Sequence, residues 1–234
     1  MKKVAITQSN YIPWKGYFET IYRMDEFILY DDVQYTRRDW RNRNLIKTPN
    51  GLLWLTIPVE VKGKYHQLIN ETVISDPTWK IHHWKTLQTF YARAPYFKEV
   101  SSFFEELYLN CNEKYLSAIN YRFLTAICSL LGITTPITRS SDYQLIGDKS
   151  ERLLNICLQC SATDYYSGPS AQSYLNVSIF EQKNVRIHWL DYNGYPEYPQ
   201  LYPPFEHAVS ILDLIFNVGP ANAKNYFIRN TCND

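Results

Sequence analysis

The first thirty residues restrict the fold more than any other part of the chain. Residues 3–7 read KVAIT, an apolar run of strand length. Residues 8–13 form a turn, and residues 14–24 carry Trp14, Phe18, Ile21 and Tyr22 at helical spacing. A second apolar run, EFILY, occupies residues 26–30. Strand, loop, helix and strand in that order predict a parallel βαβ unit, because a helical crossover lets two neighbouring strands run the same way.

The pattern continues downstream. Short strands are expected at residues 137–140, 164–167 and 185–189, with a helix at 149–160 that Asp148 can cap. Residues 53–61 (LWLTIPVEV) alternate like another strand, and residues 71–75 are expected to pair with them as a hairpin. Helices are expected at 78–91, after Asp76-Pro77, at 97–109 and at 113–131, where Gly132 closes the last one. Two more are expected at 209–217 and 220–228. The prediction is one α/β domain over residues 1–234. It is Rossmann-like, with a mainly parallel sheet, an inserted helical region at about 77–131 and a small β-hairpin.

Charge and cysteine content narrow the function. Twenty-four basic and 23 acidic residues leave a formal net charge of +1, which gives no general attraction to nucleic acid or to anionic membranes. No apolar run reaches the roughly 18 residues a membrane span requires, and no leader precedes the first strand, so the chain is expected in the cytoplasm. The odd set of five cysteines (111, 128, 157, 160 and 232) is then expected to be reduced. Cys157 and Cys160 form a CxxC inside a helix, where core packing is the expected role. Tyrosine is abundant, at 20 residues, and aromatics make up 16% of the chain. Compositional bias would produce that count, and so would recognition of sugars or bases, since such rings pair apolar faces with hydrogen-bonding edges.

In open parallel sheets ligands bind beyond the carboxyl ends of the strands. Each expected exit here is polar: Gln8-Ser9-Asn10-Tyr11, Asp31-Asp32-Val33-Gln34, Ser140-Ser141, Ser167-Gly168-Pro169-Ser170 and Asp191-Tyr192-Asn193. The second exit opens the segment DDVQYTRRDWRNRN (31–44), where four arginines and three acids surround Tyr35 and Trp40. Arginine binds carboxylate and phosphate bidentately, so Arg37, Arg38, Arg41 and Arg43 are candidates for gripping an anion. Asp32 is a candidate general base, and so is His83, which shares a helix face with Trp79. Gly16 stands at a helix start whose amides could meet a phosphate, and Ser167-Gly168 could cradle phosphate or sugar hydroxyls. There is no P-loop, GxGxxG, GxSxG or HxxxH, and no carboxylate–histidine cluster, so no metal site is predicted and the cofactor stays open.

Several strings, taken in order, resemble the WbqC-like protein family: QSNYIPWKGYF (8–18), the 31–44 segment, KTPNG (47–51), W-x-x-x-H (79–83), APYF (94–97), SGPSA (167–171) and SILDLIFNVG (210–219). Ser9 stands where family members have a proline. The resemblance places Gln8, Tyr11, Trp14, Asp31, Asp32, Gln34, Arg38, Trp40, Arg41, Asn42, Arg43, His83, Ser167 and Asn217 on motif positions. It implies a role near O-antigen or other surface-polysaccharide functions. The opening also resembles nucleotidyltransferase-type α/β folds, but Trp14 and Tyr17 stand where those carry paired histidines. Three functions follow as expectations. The first is a transferase acting on a phosphorylated or nucleotide-linked (amino) sugar, and the second a non-catalytic binding or scaffold protein of a glycan-assembly pathway. RNA binding is the third, and the near-neutral charge argues against it.

Overall fold

The computed structural model describes residues 1–227. The opening βαβ unit is present as β1 (Lys3–Thr7), α1 (Lys15–Arg23) and β2 (Glu26–Leu29). Three more strands, β5 (Ile137–Arg139), β6 (Asp164–Ser167) and β7 (Arg186–Trp189), complete a five-stranded sheet. The order is β5-β2-β1-β6-β7 and every neighbouring pair is parallel. The chain therefore starts at the middle of the sheet, builds outward through β2 to β5, then returns to build β6 and β7 on the other side. Its order reverses between β1 and β6.

Period-two alternation gives the sheet two buried faces. Val4, Ile6 and Ile28 join Leu153, Ile156 and Cys157 of α5 (Lys149–Gln159), together with Phe180 of α6 (Val177–Glu181). Ala5, Phe27 and Leu29 face the opposite way, into the larger core shared with α1 and α7 (Ile211–Val218). That core extends into α2 (Trp79–Tyr91), α3 (Phe97–Leu109) and α4 (Leu116–Leu130), the expected helical region. Burying one large apolar side chain there stabilises by roughly 1.5–3 kcal/mol. Cys157 and Cys160 are free and buried, and burial pushes both thiols up, as core residues require. Cys232 lies outside the described residues, as does the last residue of the helix expected at 220–228. The rest of that segment is a short α8 (Pro220–Ala223) followed by a 3-10 turn.

The hairpin differs from expectation. It pairs β3 (Arg43–Thr48) with β4 (Gly51–Thr56), not residues 53–61 with 71–75. The turn is Pro49-Asn50, and Gly51 adopts φ +104°, a conformation that favours glycine. The run of arginine and asparagine hides the strand character of β3, whose Asn44, Ile46 and Thr48 alternate inward. Pro58 lacks the N–H needed to continue β4. Residues 59 and 74 retain one isolated antiparallel bridge of the expected pairing.

Candidate functional site

A cavity of about 240 Å³ opens at the carboxyl ends of β2 and β5. Asp31 and Asp32, one residue beyond β2, line it together with Asn70. Arg139, Ser140 and Ser141 arrive from β5, and the start of α4 contributes its N-cap Tyr115 and Ser117. Asp32 is held on both oxygens: Asn70 Nδ2 donates to Oδ1 at 2.8 Å and Ser140 Oγ donates to Oδ2. Asp31 Oδ1 accepts the Ser9 backbone N–H at 2.8 Å. A proline at position 9 could not make that bond, so this departure from the family string ties β1 to the acidic wall. Burial holds the Asp31 carboxyl above the usual carboxylate range, opposed by Ser9 and by the Arg41 charge. The Arg139 guanidinium lies over the Tyr121 ring at 4.2 Å.

The four arginines of the 31–44 segment diverge, so they do not form the joint clamp expected from the sequence. Arg41 alone turns inward, donating to Asn10 Oδ1 and lying 3.7 Å from Asp39, with its Nε buried and unpartnered. Burial disfavours its charge, and Asp39, Tyr17 and Asp31 offset that cost. Arg43 stacks on Trp54 at 4.0 Å and donates to the Arg38 carbonyl. Arg37 donates to the Val61 carbonyl at 2.7 Å, and Arg38 is exposed with φ +58°. Arg37, Arg41 and Arg43 each bind a separate partner, because the chain enters β3 at Arg43 and the preceding residues follow a turn. Trp40 is exposed beside Trp54, ring centroids 5.2 Å apart. Gln34 is exposed and donates to the Tyr65 carbonyl at 2.7 Å.

His83 lies away from this cavity, in the core. Its Nε2 is 3.1 Å from the Thr56 carbonyl, which can only accept, so Nε2 carries the proton. Bare Nδ1 then accepts from the Tyr11 hydroxyl at 2.8 Å, and Tyr11 in turn accepts from Tyr108 at 3.0 Å. Burial lowers the imidazole to about 4. A neutral ring with both nitrogens engaged holds hairpin, first loop and helices together, and has no free nitrogen to serve as general acid or base. Asn42 is likewise structural in placement, donating to the Ile57 carbonyl at 2.8 Å. Asn217 donates to the Asp213 carbonyl at 2.8 Å, within a separate network in which Tyr91 and Tyr198 donate to the buried Asp213 carboxylate at 2.7 and 2.8 Å.

The crevice between the β1 and β6 exits, where a doubly wound sheet ordinarily binds ligand, is roofed. Trp14 folds back over Gly16, where a Cβ would lie 2.4 Å from the indole. Trp14 also packs edge-on against Tyr195 at 5.0 Å and Tyr192 at 5.6 Å. Beside it Lys15 donates to the Pro196 carbonyl at 2.6 Å, with its ammonium 5.0 Å from the Tyr198 ring, and burial lowers it to about 8. The glycine therefore makes room for Trp14, not for a phosphate. Gln8 accepts from the Tyr17 hydroxyl through its carbonyl at 2.9 Å, while Ser167 is buried and Gly168 lies beneath Tyr192. Replacing Gly16 with alanine is expected to displace Trp14, cost roughly 1–3 kcal/mol in a urea titration, and speed proteolytic cleavage within residues 190–206.

The structure thus brings Asp31 and Asp32 together with the Ser140-Ser141 exit, and leaves Gln34, Arg38, Trp40 and Arg43 on the hairpin side of the loop. Asn70, Arg139 and Tyr115 were not anticipated as site residues. Arg139 was legible as the last charged residue of a short strand, whereas Asn70 lies in a 3-10 turn without a local signal. Among the described residues no helix is long and apolar enough to cross a membrane, and no group of three His, Cys, Asp or Glu is placed to hold a metal ion.

Comparison with known proteins gives one family and one uncharacterised relative. Residues 8–225 match the model of the WbqC-like protein family. The chain is 54% identical over 226 residues to Uncharacterized protein Rv1507c of Mycobacterium tuberculosis, covering 97% of each chain. No solved structure matches.

Proposed function

The chain belongs to the WbqC-like protein family, and from that premise we propose that it is a transferase modifying an activated amino sugar in bacterial surface-polysaccharide (O-antigen) biosynthesis. One observation carries this reading: a polar cavity at the strand ends is lined by two adjacent carboxylates and an arginine. Carboxylates, serine hydroxyls and an amide are the groups that recognise sugar hydroxyls and amines, and arginine recognises phosphate. Asp32 is positioned on both oxygens by Asn70 and Ser140 and takes the proton that the attacking amine or hydroxyl sheds as its new bond forms. His83, with both nitrogens engaged, acts as a positioning residue for Tyr11 and the hairpin.

Thermal-shift screening against nucleotide sugars and acyl donors tests the reading. At least one activated sugar is expected to raise the melting temperature, and Asp32→Asn is expected to lower turnover of the resulting pair by about 100-fold or more while leaving the fold intact. A flat response of folded protein across the whole panel would sink it.

A specific feature favours the second reading, a non-catalytic ligand-binding or scaffold protein of the same pathway. The outward face of the hairpin carries Leu52, Trp54 and neighbouring Trp40 at 45%, 39% and 40% exposure, an apolar patch of the kind that meets partners. Full biological activity of Asp32→Asn, with loss of activity in Trp54→Ser, would select the scaffold reading.

A further inference from the structure

The cavity's polar groups are unevenly divided, and the division says more than that a sugar fits. Part of the lining is rich in acceptors. Asp31 and Asp32 bring two carboxylates, and Asn70 fixes one of them by donating its Nδ2 to Asp32 Oδ1 at 2.8 Å. The same lining offers donors, chiefly Arg139, whose guanidinium lies on the Tyr121 ring and not on a carboxylate. A ligand matching both kinds of group carries hydrogen-bond donors and positive charge for the carboxylates and negative charge for the arginine.

Resting on the sugar-transferase reading, we propose that this cavity selects a zwitterionic amino sugar phosphate, its free ammonium on Asp31 and Asp32 and its phosphate on Arg139. An ammonium supplies three N–H donors and a positive charge to the two carboxylates. A hydroxyl supplies one donor and no charge. An acetamide supplies one donor, no charge and a methyl group against two carboxylates, which disfavours it. Volume adds a limit: about 240 Å³ lies below the roughly 300–1,000 Å³ typical of sites for drug-sized ligands. One hexose ring fits, so any nucleotide attached through the phosphate projects past Arg139 to the outside. The reaction that supplies this substrate must then be one that leaves a bare amine on the ring, an amino transfer or a deacetylation.

Isothermal titration of the full chain with glucosamine 1-phosphate, N-acetylglucosamine 1-phosphate and glucose 1-phosphate tests the assignment. The free amine is expected to bind at least tenfold tighter than the other two, and its advantage to shrink as pH rises past the amine's own pKa. Asp32→Asn is expected to reduce the advantage, whereas Arg139→Gln weakens all three ligands alike. Equal binding of the amine and the acetamide would overturn the selectivity and leave the sugar-transferase reading standing. Binding of none of the three, nor of any nucleotide sugar, by folded protein would remove both.

Discussion

Lowering the pH from 7 to 5 is expected to cost the fold roughly 2 kcal/mol through His83 alone. The imidazole is buried, donates from Nε2 to the Thr56 carbonyl and accepts the Tyr11 hydroxyl at Nδ1, so protonation at Nδ1 breaks the Tyr11 bond and buries a charge. Its folded value is lowered from 6.5 to about 4. Between those values the unfolded chain binds a proton that the folded chain refuses. The contribution is therefore complete above about pH 6.5 and is lost as pH falls toward 4. Asp31 and Asp213 act with the opposite sign. Burial raises both carboxyls, so ionising them opposes folding and acidification relieves that cost. Urea midpoints at both pH values, for the native chain and for His83→Gln, separate the terms. The variant is expected to be less stable at pH 7 and to lose clearly less on acidification. An equal pH response in the two proteins would show that His83 is not the neutral, fully engaged ring described above.

Gly219→Ala is the second large effect, expected to remove roughly 3 kcal/mol or more. Gly219 joins α7 to α8 with φ +81° and ψ 156°, a region that side chains with a Cβ rarely enter. A Cβ there would also sit 2.7 Å from Cδ1 of the Tyr96 ring. Tyr96 cannot easily retreat, because its backbone N–H donates to the Phe216 carbonyl at 3.0 Å, and Phe97 packs on Phe216 at 5.1 Å. Backbone strain and ring collision thus add at one position. Against a total stability of about 5–15 kcal/mol the loss should be obvious in chemical denaturation. A shift below 1 kcal/mol would mean that the Tyr96 contact is wrong.

What could be read in the residue string follows from where local rules decide the outcome. KVAIT and EFILY are buried on both sides, so their apolar runs reveal them directly; the helix at 97–109 shows in its periodicity, and that at 79–91 in the Asp76-Pro77 start before it. The hairpin was misplaced because β3 has one inward face of Asn44, Ile46 and Thr48 and an outward face opened by Arg43, a mixture that resembles a loop. Asp31 and Asp32 were visible as a strand exit, since that rule depends only on strand order. His83 misled for a physical reason: a histidine sharing a face with Trp79 can look into a cleft or into a core, and only Tyr11 and Thr56, 72 and 27 residues away along the chain, decide which. The divergence of the arginines is equally non-local, depending on Trp54 and Val61. Arg139 and Asn70 meet Asp32 only because β5 docks beside β2 and a 3-10 turn crosses above them.

The cavity lies two strand positions, roughly 10 Å, from the crevice that Trp14, Tyr192 and Tyr195 roof. With that central crevice closed, α4 and the 3-10 turn at Ile69–Glu71, instead of loops from the second half of the sheet, complete the cavity's lining. Under the proposed function, side-chain changes at Tyr115 and Ser117 are expected to retune which molecule is accepted, while the strands beneath stay untouched. Selectivity would then reside in the inserted helices and the frame in the β-sheet.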